Sequence, residues 1–102
     1  MQKKFYLKDI YYIESNNKKV VFHTKDGIID TYGKMDDWEK KLGDTFYRCH
    51  RGYLVNLEKI IAYNIDTIEV INGDLLILAQ KKYSDFIKTY MRYAKDGGIV
   101  NV

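Results

Sequence analysis

The 102 residues carry 17 Lys and Arg against 14 Asp and Glu, a net charge of +3, with one cysteine and no proline. A chain of this length builds one domain around one modest core, burying roughly two thirds of its unfolded surface. No apolar run approaches the roughly 20 residues of a membrane span, no charged-then-apolar leader marks a signal peptide, and the lone cysteine excludes an internal disulfide, which fits a reducing cytoplasm. Ten tyrosines and many β-branched residues lean the chain toward strands. The mild charge does not announce nucleic-acid binding, so that case rests on local clustering.

In chain order, residues 3–7 read as a first strand with Phe5 and Leu7 on one face, punctuated by Asp9. Residues 10–14 follow, with Tyr11 and Ile13 sharing a face. Ser15-Asn16-Asn17-Lys18-Lys19 is a polar loop, either a solvated connection or a nucleic-acid contact. Residues 20–24 and 28–32 pair across Asp26-Gly27, a strong hairpin signal. Residues 35–42 are predicted as a helix: Met35, Trp38 and Leu42 fall at helical spacing, and Gly43 stands at its stop. Asp36, Asp37 and Glu39 come early and Lys40 and Lys41 late, an order that complements the helix dipole. Trp38 reads as a core anchor, and the Asp36-Asp37 pair as early-turn stabilisation rather than acid/base machinery.

Phe46-Tyr47-Arg48-Cys49 and Tyr53-Leu54-Val55-Asn56 are two strand-like runs. Between them, His50-Arg51-Gly52 offers a cation and an imidazole on a bend in a β frame, and Gly52 suits a turn because it accepts backbone angles other residues resist. Adjacent strand side chains point to opposite faces, so Cys49 and His50 cannot work as a nucleophile–base dyad. Cys49 is expected to pack as a small apolar group. His50 is either a structural histidine or a ligand-facing one, and His23 a surface or half-buried strand residue. Leu57-Glu58-Lys59 is a short helical turn, 60–63 and 67–71 are strands, and Asn72-Gly73-Asp74 turns the chain into a strand over 75–79. Gln80-Lys81-Lys82 is a basic loop. Tyr83, Phe86, Ile87, Tyr90 and Met91 mark an amphipathic C-terminal helix near 82–92, and the last few residues are expected to fray.

The central stretch resembles the signature of the LytTR family, the β-rich DNA-binding domain found mostly at the C-terminus of bacterial response regulators. Phe46, Arg48, His50-Arg51-Gly52-Tyr53 and Leu54-Val55-Asn56 match it, with Gly52 where a serine is usual. Asp9-Ile10-Tyr11-Tyr12-Ile13-Glu14-Ser15 is similar to the family's opening block, and Lys81-Lys82-Tyr83 to its closing basic pair and tyrosine. The resemblance implies one domain over 1–102: a mainly β, elongated antiparallel multi-sheet fold with one short helix near 35–42 and a C-terminal helix. It implies sequence-specific binding to double-stranded DNA, with loops entering successive major grooves at paired direct-repeat sites. It places contacts in Asn17, Lys18, Lys19, His50, Arg51, Gly52, Lys81 and Lys82. Lys18 or Lys19, Arg51 and Lys82 then face bases and Lys81 a phosphate, while the Gly52 departure removes a hydroxyl. A receiver domain in a longer protein and dimerisation on DNA are compatible with it.

Two other classes follow from the residues: a protein-interaction module using exposed tyrosines, and a single-stranded nucleic-acid binder that stacks bases on aromatics. An enzyme is not expected, and no cofactor. The chain has no glycine-rich phosphate loop, no plausible triad, and no metal-ligand spacing among its two histidines and one cysteine.

Overall fold

Polar turns fold the N-terminal half back on itself. In this computed structural model, which describes residues 4–98, β1 (Ile10–Asn16) and β2 (Lys19–Thr24) pair from Ile10–Thr24 to Asn16–Lys19. Asn17-Lys18 is the turn, and Asn17 takes the left-handed region (φ 58°), which a short polar side chain tolerates. β3 (Gly27–Tyr32) returns along β2. Their turn is closed by Thr24, whose Oγ1 accepts from the Asp26 N–H (3.1 Å) and donates to the Gly27 carbonyl (2.8 Å). α1 (Met35–Leu42) buries Met35 and Leu42 and stops at Gly43, with φ 75°. β4 (Phe46–His50) and β5 (Tyr53–Asn56) form the central hairpin, and β5 inserts beside β1. The antiparallel order is β3-β2-β1-β5-β4.

A 3-10 turn at Leu57–Lys59 leads into a second antiparallel sheet, β6-β7-β8: β6 (Ile60–Tyr63), β7 (Thr67–Val70) and β8 (Leu75–Ile77). Another 3-10 turn, Gln80–Lys82, runs directly into α2 (Tyr83–Asp96). The molecule is elongated, 43 × 27 × 24 Å.

The five-stranded sheet is covered on both faces because its strands alternate apolar residues toward each. Ile13, Phe22, Phe46 and Leu54 pack under α1 with Met35 and Leu42, and Trp38 meets Phe22 edge-to-face at 4.8 Å. Tyr12, Tyr47, Cys49 and Val55 face the other way, onto Ile68, Val70, Leu76 and Leu78 of the second sheet and Phe86 and Tyr90 of α2. Two tyrosine hydroxyls tie the layers: Tyr12 donates to Asp74 Oδ2 (2.9 Å) and Tyr47 to Asp85 Oδ2 (2.7 Å). Burial, then these carboxylate bonds, push both phenols above their ordinary range.

Several expectations are corrected. Residues 4–6 form no strand and Leu7–Asp9 is a 3-10 turn. Phe5 packs edge-to-face on Phe22 while Leu7 is exposed, so they do not share a buried face. Tyr11 and Ile13 pack into different clusters, because a register shift between Ile10 and Tyr12 breaks the alternation. β8 ends at Ile77 rather than 79, since the Leu78 and Ala79 N–H groups leave the ladder for the Asp66 and Cys49 carbonyls (both 2.9 Å). α2 runs past 92 to Asp96, continuing the buried Phe86, Tyr90, Ala94 stripe until Gly97. The expected fraying of the last residues lies outside the described residues.

Candidate nucleic-acid interface

The sheet register decides which loops meet. At one end of the five-stranded sheet lie the β1–β2 turn, the β4–β5 turn and the exit of β3 into Gly33-Lys34. The Ser15 N–H donates to the Gly52 carbonyl (3.0 Å), and the Gly33 N–H to the Lys18 carbonyl (3.1 Å). Asn17, Lys18, Lys19, Lys34 and Arg51 line one groove there. A second groove alongside is lined by Glu14, His50, Arg51, Gly52 and Ile77. The third basic loop joins through its backbone, by the Ala79 N–H to Cys49 carbonyl bond. Its lysine side chains line neither groove.

The cations differ in freedom. Lys18, Lys81 and Arg51 are exposed, and among the described residues none has a hydrogen-bond or ion-pair partner for its charged group. Lys19 is half-buried, 3.6 Å from Asp30 and 5.0 Å from the Tyr32 ring centre. Lys82 is half-buried, its ammonium 5.9 Å from the Tyr47 ring centre. Asn17 is exposed at the turn tip.

The Arg51 turn is held from several sides. Arg48 Nε donates to the His50 (3.2 Å) and Arg51 (3.1 Å) carbonyls, and Nη2 donates to the same Arg51 carbonyl. Its Nη1 reaches Asp36 (3.0 Å) and Glu39 (2.9 Å) of α1. The Gly52 N–H donates to His50 Nδ1 (3.0 Å), which places the ring proton on Nε2. Gly52 corrects an expectation: its backbone is not in the left-handed region. A Cβ there would sit 3.4 Å from Ser15 Oγ and 3.5 Å from His50 Nδ1, ordinary contact, so a serine fits and the bend does not require glycine.

The model of the LytTr DNA-binding domain matches residues 2–91, nearly the whole chain. The chain belongs to the LytTR family of DNA-binding domains. The fold agrees: it superposes with a TM-score of 0.73 on the LytTr DNA-binding domain of a putative methyl-accepting/DNA response regulator from Bacillus cereus, at 23% identity and covering 83% of each chain. No curated protein matches the chain.

Within this LytTR domain the signature divides by role. Asn56 is architecture: buried, it donates from Nδ2 to the Ile10 carbonyl (2.8 Å) and accepts at Oδ1 from the Glu58 N–H (3.0 Å). It ties β5 to the start of β1 and caps the following 3-10 turn. Asn56→Ala orphans both backbone groups, and a loss of about 1–3 kcal/mol in urea unfolding is expected; a smaller loss would mean water replaces the amide. Cys49 is fully buried and its thiol is pushed up to about 12 by burial, so it packs rather than reacts. His23, half-buried, lies 2.6 Å from Glu14 and stacks on Tyr12. Sequence reasoning missed two members of the edge. Arg48 was visible as a signature residue without a role, and Lys34 had only its place before α1 as a signal. Among the described residues no group of three or more His, Cys, Asp or Glu is arranged to hold a metal, and no helix is long and apolar enough to cross a membrane.

Proposed function

We propose that this LytTR domain is the output module of a bacterial, cytoplasmic transcription regulator and binds a specific duplex DNA site without catalysis. The observation that carries the reading is Arg51: an exposed, unpartnered guanidinium on a braced turn, in a groove shared with Lys18 and Lys34. Such a fork suits guanine O6 and N7 in the major groove, while lysines suit phosphates as point charges. Lys18 makes the first-loop contact, to a phosphate rather than to the base the resemblance implies, and Lys19 does not, since its ammonium is engaged by Asp30 and Tyr32. Lys81 takes a phosphate, Lys82 swings off the Tyr47 ring to a base, and His50 and Gly52 contribute mainly by shaping the turn. Loops enter successive major grooves at paired direct repeats, with a receiver domain elsewhere in the longer protein and dimerisation on DNA. The tyrosine-surface alternative has little support, since only Tyr6 and Tyr32 of the tyrosines are exposed.

Fluorescence anisotropy tests this with a duplex selected from a random pool, a random duplex and a matched single strand, at two salt concentrations. Tight, salt-dependent preference for the selected duplex is expected. Preference for the single strand would replace this reading with base stacking, and no binding at low salt would end it. Lys18→Ala and Lys81→Ala should each reduce the log–log salt slope by roughly 0.9, one phosphate contact apiece. Lys19→Ala should leave the slope nearly unchanged; the reverse pattern would exchange the roles of Lys18 and Lys19.

A further inference from the structure

We propose that Arg48 is a positioning residue for base recognition: its guanidinium, anchored on Asp36 and Glu39 of α1, sets the backbone of the turn that presents Arg51. The inference rests on the DNA-binding reading above and adds a source of specificity that touches no base.

A cation at this edge has an obvious alternative use, as a phosphate contact. The geometry argues against it. All three guanidinium nitrogens are committed to protein acceptors, Nε and Nη2 to the turn carbonyls and Nη1 to two carboxylates. The side chain is only 16% exposed, whereas its carboxylate partners Asp36 (81%) and Glu39 (47%) are more open to solvent. Two carboxylates beside one guanidinium leave this spot without surplus positive charge for a phosphate. What the arrangement does supply is stiffness. The planar fork fixes the direction of two successive carbonyls, and α1, packed on the sheet through Met35 and Leu42, fixes the fork. A base contact made by two parallel hydrogen bonds depends on such alignment, whereas a phosphate contact tolerates its loss. Lysine cannot substitute, because one ammonium cannot span both carbonyls and both carboxylates.

The test uses Arg48→Lys, which keeps the charge, and the double variant Asp36→Ala/Glu39→Ala, which keeps Arg48 and removes its anchor. For each, affinity is measured for selected and random duplex, with amide hydrogen exchange at Arg51 and Gly52 in the free protein. Positioning predicts a roughly tenfold fall in the selected-over-random ratio for both variants and faster exchange at the turn, with an Arg48→Lys salt slope like the parent's. The double variant binds random duplex more tightly simply because two negative charges are gone, so the ratio is the readout. If Arg48 instead gripped a phosphate, Arg48→Lys and the double variant would each hold the selected-over-random ratio; either result overturns the proposal. Thermal melting by circular dichroism separates these effects from unfolding. A parent protein that discriminates no duplex would end the DNA reading and this specificity role with it, while exchange at the turn would still report whether Arg48 braces it.

Discussion

Arg51→Ala is expected to reduce affinity for the selected duplex by roughly ten- to hundredfold, the loss of about 1–3 kcal/mol of bidentate discrimination, while leaving the melting curve unchanged. The side chain is exposed and bonds to no described residue, so its removal disturbs little; surface substitutions of this kind stay within about 0.5 kcal/mol. The turn itself stays in place, because it is held through the Arg51 carbonyl, the Gly52 N–H and the Gly52 carbonyl, all of which alanine leaves intact. Arg51→Lys separates charge from shape. It should retain affinity for random duplex yet lose the preference for the selected one, since an ammonium cannot make two parallel bonds. Unchanged affinity for the selected duplex in Arg51→Ala would remove this residue from the interface and shift attention to Lys18 and Lys34.

Phe86→Ala should cause the largest loss of stability among these changes, about 3–5 kcal/mol. Phe86 is fully buried and its ring meets those of Tyr47 (5.5 Å), Tyr63 (5.2 Å) and Tyr90 (5.7 Å), thereby joining β4, β6 and α2. Against a total of about 5–15 kcal/mol for a domain, that is a large share. The expected readout is a lower urea midpoint and a melting temperature down by more than about 10 °C. The consequence reaches the interface, because Gln80–Lys82 leads straight into α2 and its position depends on that helix staying docked. Selected-duplex affinity should therefore weaken near the melting transition before random-duplex affinity does. A loss under about 1 kcal/mol would mean the second sheet holds without this ring.

Periodicity and turn residues were enough to place most elements. Met35, Trp38 and Leu42 bounded α1, Asp26-Gly27 and Asn72-Gly73-Asp74 marked two hairpins, and the apolar spacing from Tyr83 located α2. These are local signals: a helix stripe repeats every three or four residues, and a tight turn is set by the residues within it. The errors came where a distant partner overrode local pattern. The shift at Ile10–Tyr12 turned Tyr11 away from Ile13, and Asp66 and Cys49 drew the end of β8 out of its ladder. The signature also named the family correctly, since a motif is a property of order along the chain.

The functional division of that motif was another matter. From the residues alone, Arg48, His50, Arg51 and Asn56 were polar positions in one stretch, with Arg51 singled out as a base contact only by the family resemblance, and Lys18 and Lys19 were interchangeable. Only the folded chain separates them: Arg48, His50 and Asn56 bond inward to the backbone, Lys19 is drawn to Asp30 and Tyr32, and Arg51 and Lys18 are left facing outward. The residue types and their order thus determined most of the strands, both helices and the family. Which cations are free was decided by tertiary structure, because a side chain's availability depends on neighbours brought in from other elements, and α1, β3 and β5 reach this edge only when the sheet closes.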